Sequence, residues 1–217
     1  MAGPGRMNLK EGSLLSVAAR DRFRHRVEPY AANLARVGLT PNALTLMGFG
    51  ISIVAAALGG LQLWLACGLV ATFGAAFDMF DGAVARATGT ASPFGAFLDS
   101  TFDRWGEGLV YAGIATGAAL AGQSVTVLLA ALAMGAAFMV SYSRAKAESL
   151  GWHGEAGIAP RPERVVLLGL GLVAAGLGGG PAGGPWLQLA LGAIAVLGTV
   201  TVIQRIVYVQ QQAEGTR

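Results

Sequence analysis

Three stretches of this chain carry no Asp, Glu, Lys or Arg: Val37–Phe77, Gly108–Ser143 and Val165–Gln204, of 41, 36 and 40 residues. No other feature narrows the possible folds as much. A helix needs about 20 apolar residues to cross the hydrocarbon core of a bilayer, so each stretch is long enough for two passes. Each also has a turn signal near its middle: Gly59-Gly60, Gly122-Gln123-Ser124, and the run from Gly178 to Pro185. The pattern predicts an all-α integral membrane protein with six transmembrane helices, at about 43–63, 64–85, 94–121, 124–149, 160–178 and 186–209. Composition agrees: 12% of the residues are charged, against roughly 25% in a soluble domain. The single cysteine, Cys67, excludes a disulfide within the chain and reads as a small packing residue.

The basic residues give the orientation. An even number of passes puts both termini on one side. All 15 Lys and Arg then fall on that side, while the three opposite turns have none. Under the positive-inside rule the loaded side is cytoplasmic. No secretory signal is read ahead of the first apolar run. Ser13–Val37 mixes Arg20, Arg22, Arg24, Arg26 and Arg36 with Leu14, Leu15, Val17, Phe23, Val27 and Leu34. This reads as an amphipathic juxtamembrane helix lying on the cytoplasmic leaflet and preceding the six passes. The expected organisation is a cytoplasmic arm over 1–36, a membrane domain over 37–210 and a cytoplasmic tail over 211–217. The expected location is the cytoplasmic membrane, and no nucleic-acid partner is expected.

Against this background four acids stand out. Asp78, Asp81, Asp99 and Asp103 lie between apolar runs, at the cytoplasmic ends of the second and third helices. An ionised carboxylate in hydrocarbon costs several kcal/mol. Spacings of three and four place each pair on one helical face, and the short connection through Gly89, Ser92 and Pro93 makes the two helices neighbours. Four carboxylates so close repel unless positive charge sits among them. Within the same stretch only Arg86 and Arg104 offer any, too little for simple neutralisation. Divalent cations fit better. Oxygen ligands without His or Cys favour Mg²⁺ or Mn²⁺ over Zn²⁺, and four carboxylates can hold two ions, the arrangement that assists phosphoryl transfer. An ion-conducting path would spread its acids through the membrane depth instead. Gly82, Ala85 and Gly95 leave room beside the acids, and Arg86 can reach a phosphate bidentately. Glu107, one turn past Asp103, is within reach of the site or of a neighbouring side chain.

The order Asp78-x2-Asp81-Gly82-x2-Ala85-Arg86-x8-Gly95-x3-Asp99-x3-Asp103 resembles the signature of the CDP-alcohol phosphatidyltransferases at every position. The arm, the six helices and the "LTPNALTLMG" entry to the first helix extend the resemblance over nearly the whole chain. It implies transfer of a phosphatidyl group from CDP-diacylglycerol to an alcohol with release of CMP. It also implies metal ligation by Asp78, Asp81, Asp99 and Asp103, with Asp103 as general base. Gly82, Ala85 and Arg86 then contact the cytidine and diphosphate, and the enzyme is a homodimer.

A second cluster bears on the acceptor. Arg144, Lys146, Arg161 and Arg164 sit at the cytoplasmic ends of the fourth and fifth helices, with Arg205 level with them on the sixth. Positive-inside bias alone produces such clusters, but this much charge also suits an acceptor that is itself a phosphate. The "SYSRAKAE", "RPER" and "VIQR" segments look like phosphatidylinositol phosphate synthases and archaetidylinositol phosphate synthases. The resemblance assigns these five residues to the phosphate of inositol 1-phosphate. Those enzymes often have Lys then Arg where this chain has Arg144 then Lys146. Glycerol 3-phosphate is the alternative acceptor, and a cation transporter the alternative of another class.

Overall fold

The computed structural model describes residues 38–178 and 183–215, together with Asn33 and Arg36. The expected amphipathic arm lies outside the described residues apart from those two. Among the described residues the only regular structure is helical.

Two helices begin with the same device. α1 (Pro41–Gly60) follows an extended Thr40 whose hydroxyl accepts from Ala43 N at 3.2 Å; α4 (Pro93–Leu120) follows an extended Ser92 that accepts from Gly95 N at 3.0 Å. In both, Pro occupies the first turn, where its missing N–H costs nothing. α2 (Trp64–Phe77) and α3 (Met79–Thr88) meet at Asp78, whose own backbone stays helical (φ −54°, ψ −22°), so they form one jointed rod. The sequence predicts one unbroken helix here; neither Gly nor Pro marks the joint. α3 stops at Gly89, which turns left-handed (φ 67°) as glycine does at no steric cost. α5 (Ser124–Ser149), α6 (Arg161–Leu177) and α7 (Gly184–Glu214) complete the set. Among the described residues, counting the jointed pair once gives six rods, with boundaries within a few residues of those expected. The exception is α7, which runs on to Glu214 through the boundary drawn at 210.

The rods pack in a closed ring in the order α1, α4, α5, α7, α6, α2. Small residues set the spacing. A Cβ added at Gly113 would strike Ala56 O, one at Gly117 would strike Gly59 O, and one at Gly176 the backbone of Leu65. Backbones that approach this closely gain dispersion contact, the attraction that remains between helices in lipid. The core inside the ring includes Cys67, Ile114, Leu172 and Leu191, all at 0% exposure. Outside, Leu46, Leu69, Phe73, Leu132, Leu170 and Val196 are exposed, an apolar girdle that water would not tolerate and lipid does.

Four rods are long and apolar enough to cross a membrane: α1, α2 with α3, α5 and α7. α4 carries Asp99, Asp103, Arg104 and Glu107, and α6 has only 17 residues, so these two are less apolar or shorter. One end of the bundle collects the Asp78 joint, the loop after α3, the α5–α6 loop and the end of α7. There Gln212 bonds both the N and the O of His153. Arg86, Arg104, Arg144, Lys146, Arg161, Arg164 and Arg205 lie at this end. The opposite end holds the turns at 61–63 and 121–123, the last turn of α6 and the first turn of α7.

Candidate active site

Two rods, the jointed α2–α3 and α4, deliver the four acids to one end of the ring. Asp78 sits at the α2–α3 joint, against α1. Gly48 on α1 has no side chain to block it, and a Cβ there would collide with Asp78 Oδ1. Asp81, one turn on in α3, is 7% exposed. Thr45 Oγ1 donates to its Oδ2 at 2.8 Å, and Gly82 N donates to its Oδ1. Asp99 on α4 lies within hydrogen-bonding reach of Asp81. Two ionised carboxylates in that position repel unless positive charge or a proton is shared between them.

Asp103, one turn further along α4, is held differently. Arg161 Nη1 on α6 donates to Asp103 Oδ2 at 2.7 Å, and Arg161 Nη2 donates to Asp78 Oδ2 at 2.9 Å. Arg104 Nη1 adds a longer contact to the same Asp103 oxygen, 3.3 Å. The sequence argument counted only Arg86 and Arg104 as neutralising charge. The third arginine comes from α6, more than fifty residues away in sequence.

Among the described residues no three of the acids converge on one point as a formed metal centre. The donor set nevertheless suits a hard divalent cation. The cavities around the acids offer carboxylate, hydroxyl and backbone oxygen, with no thiol or imidazole on their walls. A guanidinium bridging two of the carboxylates marks the place as one that accepts positive charge.

Two of the cavities around the acids meet at Asp99. One, of about 210 Å³, is walled by Asn42, Asp81, Gly82, Ala85, Arg86 and Asp99, beneath the α3–α4 loop. The other, about 830 Å³ and broadly open, runs between α4 and α5 along Asp99, Asp103, Arg104, Arg144 and Glu148. Asp99 lines both. The smaller cavity thus gathers Gly82, Ala85 and Arg86 as the sequence grouped them.

The basic cluster is divided. Arg144 borders the large groove, in ion pairs with Glu148 (2.8 Å) and Glu155 (3.7 Å). Lys146, two residues on, borders a separate apolar groove between α5 and α7 beside Trp152. Arg161 faces the acids. Arg164 is 1% exposed and bonds both oxygens of Glu107 through Nη2 at 3.1 Å, with Nη1 on Ala159 O. Arg205, 3% exposed, donates to Ala156 O, Val140 O and Ser143 Oγ, tying the α5–α6 loop to α7. In this arrangement all three nitrogens of Arg164, and Nε and Nη1 of Arg205, are committed to partners inside the protein. Residues the sequence reading passed over are Thr45, which sits one turn into "LTPNALTLMG" and orients Asp81, Gly48 beneath Asp78, and Glu107 as the partner of Arg164.

Known proteins resemble this chain over most of its length. Residues 38–203 match the family model described as CDP-alcohol phosphatidyltransferase. The chain is 40% identical over 185 residues to phosphatidylinositol phosphate synthase of Mycolicibacterium smegmatis, covering 82% of this chain and 81% of that protein. It is 37% identical over 196 residues to archaetidylinositol phosphate synthase of Pyrococcus horikoshii, covering 90% and 96%. Among solved structures, Mycobacterium tuberculosis phosphatidylinositol phosphate synthase with CDP-DAG bound superimposes with a TM-score of 0.78 at 33% identity, covering 84% of this chain and 92% of that one. The same protein in complex with manganese and citrate gives 0.78 at 32% identity, covering 85% and 88%.

Proposed function

The chain belongs to the CDP-alcohol phosphatidyltransferase family, and on that footing we propose that it transfers a phosphatidyl group from CDP-diacylglycerol to inositol 1-phosphate, releasing CMP. Family membership makes it a transferase of phospholipid biosynthesis and removes the cation-transporter alternative. The observation that carries the specific reading is the pair of cavities meeting at Asp99. A two-substrate displacement needs a donor pocket and an acceptor pocket sharing one wall where the bond changes hands.

In this reading the CDP headgroup occupies the smaller cavity. Gly82 and Ala85 leave it space, and Arg86 pairs with the diphosphate. Inositol 1-phosphate enters the open groove, its phosphate held by Arg144 and Arg161. Arg164 and Arg205 hold the walls of that pocket from within, and Lys146 contributes only long-range charge. Asp78, Asp81, Asp99 and Asp103 hold Mg²⁺ or Mn²⁺, two ions for four carboxylates. Bound there, such ions neutralise the diphosphate and stabilise departing CMP. The chain's own residues do the rest. Thr45 and Gly82 N fix the Asp81 carboxylate. Asp103 accepts the proton of the attacking inositol hydroxyl. That oxygen bonds to the lipid-side phosphorus as the phosphorus–oxygen bond to CMP breaks.

The six rods cross the cytoplasmic membrane with both termini and the site in the cytoplasm, in keeping with the charge asymmetry. The membrane domain over 37–210 carries the catalysis, with α7 continuing past that boundary to Glu214; a homodimer completes the reading. The test is CMP release from CDP-diacylglycerol by the purified chain, with single alcohols supplied in turn. Release that depends on inositol 1-phosphate is expected. Release with glycerol 3-phosphate alone overturns the acceptor, and release that continues in excess chelator overturns the metal site.

A further inference from the structure

Arg161 is claimed twice. Its guanidinium bridges Asp103 and Asp78, two of the carboxylates read as metal ligands, yet the proposed acceptor pocket needs the same group for a phosphate. It cannot serve both at once. A carboxylate oxygen that accepts from a guanidinium at 2.7 Å does not also face a divalent cation at bonding distance, because two cations so close repel strongly in a partly buried site. Phosphate and carboxylate likewise compete for the same two N–H groups.

The surroundings allow the group to move. The side chains of Arg161, Asp78 and Asp103 are 27%, 19% and 12% exposed, whereas Arg164, one turn along α6, is sealed at 1% against Glu107 at 7%. Arg161 Nε is buried without a hydrogen-bond partner, so the present pose leaves one donor unsatisfied. Such a group carries a cost that another pose can relieve. A cavity of about 50 Å³ opens beside it, walled by Asp78, Glu107, Tyr111 and Arg164.

We propose that Arg161 is an exchangeable counter-ion. It neutralises Asp78 and Asp103 while the acids are free of metal; a divalent cation displaces it, and the released guanidinium becomes a donor to the acceptor phosphate. Metal and phosphate therefore help each other bind, although they carry no shared ligand. This rests on the reading of the acids as metal ligands.

The experiment is Mn²⁺ binding to the detergent-solubilised full chain, followed by electron paramagnetic resonance, without CDP-lipid. Arg161→Gln removes the competing cation, so Mn²⁺ binds about tenfold tighter, within the usual range of coupling between sites. Inorganic phosphate, at fixed free Mn²⁺, tightens Mn²⁺ binding to the unaltered chain about fivefold and leaves the variant unchanged. Unchanged or weaker Mn²⁺ binding in a folded variant overturns the exchange. So does indifference of the unaltered chain to phosphate, a measurement that needs no variant. A chain that binds no Mn²⁺ overturns the metal reading and the exchange together. Mn²⁺ binding that ignores both Arg161 and phosphate overturns the exchange alone.

Discussion

Arg161 and Arg164 stand one turn apart on α6, and each grips acids from other rods, but they are built for different ends. Arg164 meets Glu107 inside the bundle, with both partners below a tenth exposed and the guanidinium further tied to Ala159 O. Arg161 meets Asp78 and Asp103 at the rim, with every partner partly exposed and one nitrogen unsatisfied. The sealed pair has nowhere to go and fixes α6 to α4. The open pair is the one that chemistry can use. An ion pair's role here follows from what surrounds it, not from the residues that make it.

The sharpest way to separate the two pairs is to remove the charge of one partner in each. Asp103→Asn should lower turnover by roughly 10²–10⁴-fold, the range for losing a general base, with thermal stability in detergent held and CDP-lipid still bound; retained CMP release removes Asp103 as the base. Arg164→Met leaves Glu107 buried alone and should cost about 3–5 kcal/mol, read as a lower unfolding temperature. If stability is unchanged, the inner pair is no brace. Arg161→Gln, at a partly buried rim, should cost about 1–2 kcal/mol of stability, between the exposed and the fully buried cases. A loss as large as that of Arg164→Met would erase the contrast. Gly48→Ala sets a methyl against Asp78 Oδ1, the end of a side chain that can turn aside, so it should cost less than about 1 kcal/mol of stability while lowering Mn²⁺ affinity. Smallest of all, Lys146→Met should stay within about 0.5 kcal/mol in stability and leave the KM for the acceptor nearly unchanged, whereas Arg144→Met raises it.

The rods themselves were legible because an apolar run of fixed minimum length is the strongest signal a chain can carry. Their ends fell within a few residues of expectation. The joint at Asp78 was not legible, since its residue is neither Gly nor Pro. The acids were legible as a cluster because helical spacing alone puts them on shared faces. What held them was not. Arg161 arrives from a rod more than fifty residues distant, and nothing local to either stretch announces the meeting. The basic cluster failed to sort for the same reason. Arg161 and Arg164 share a face in sequence, and only Glu107, on another helix, decides which of them is sealed. Arg144 and Lys146, two residues apart on one helix, do not share a face and border different grooves.

Cys67 is the only sulfhydryl in the chain and is wholly shielded at the centre of the ring. The natural protein is therefore a ready blank for thiol labelling. One cysteine put in place of exposed Gln211, near the end of α7, gives a single handle. A reagent that cannot cross lipid will then tag it in inside-out vesicles and spare it in intact cells if the carboxyl terminus faces the cytosol.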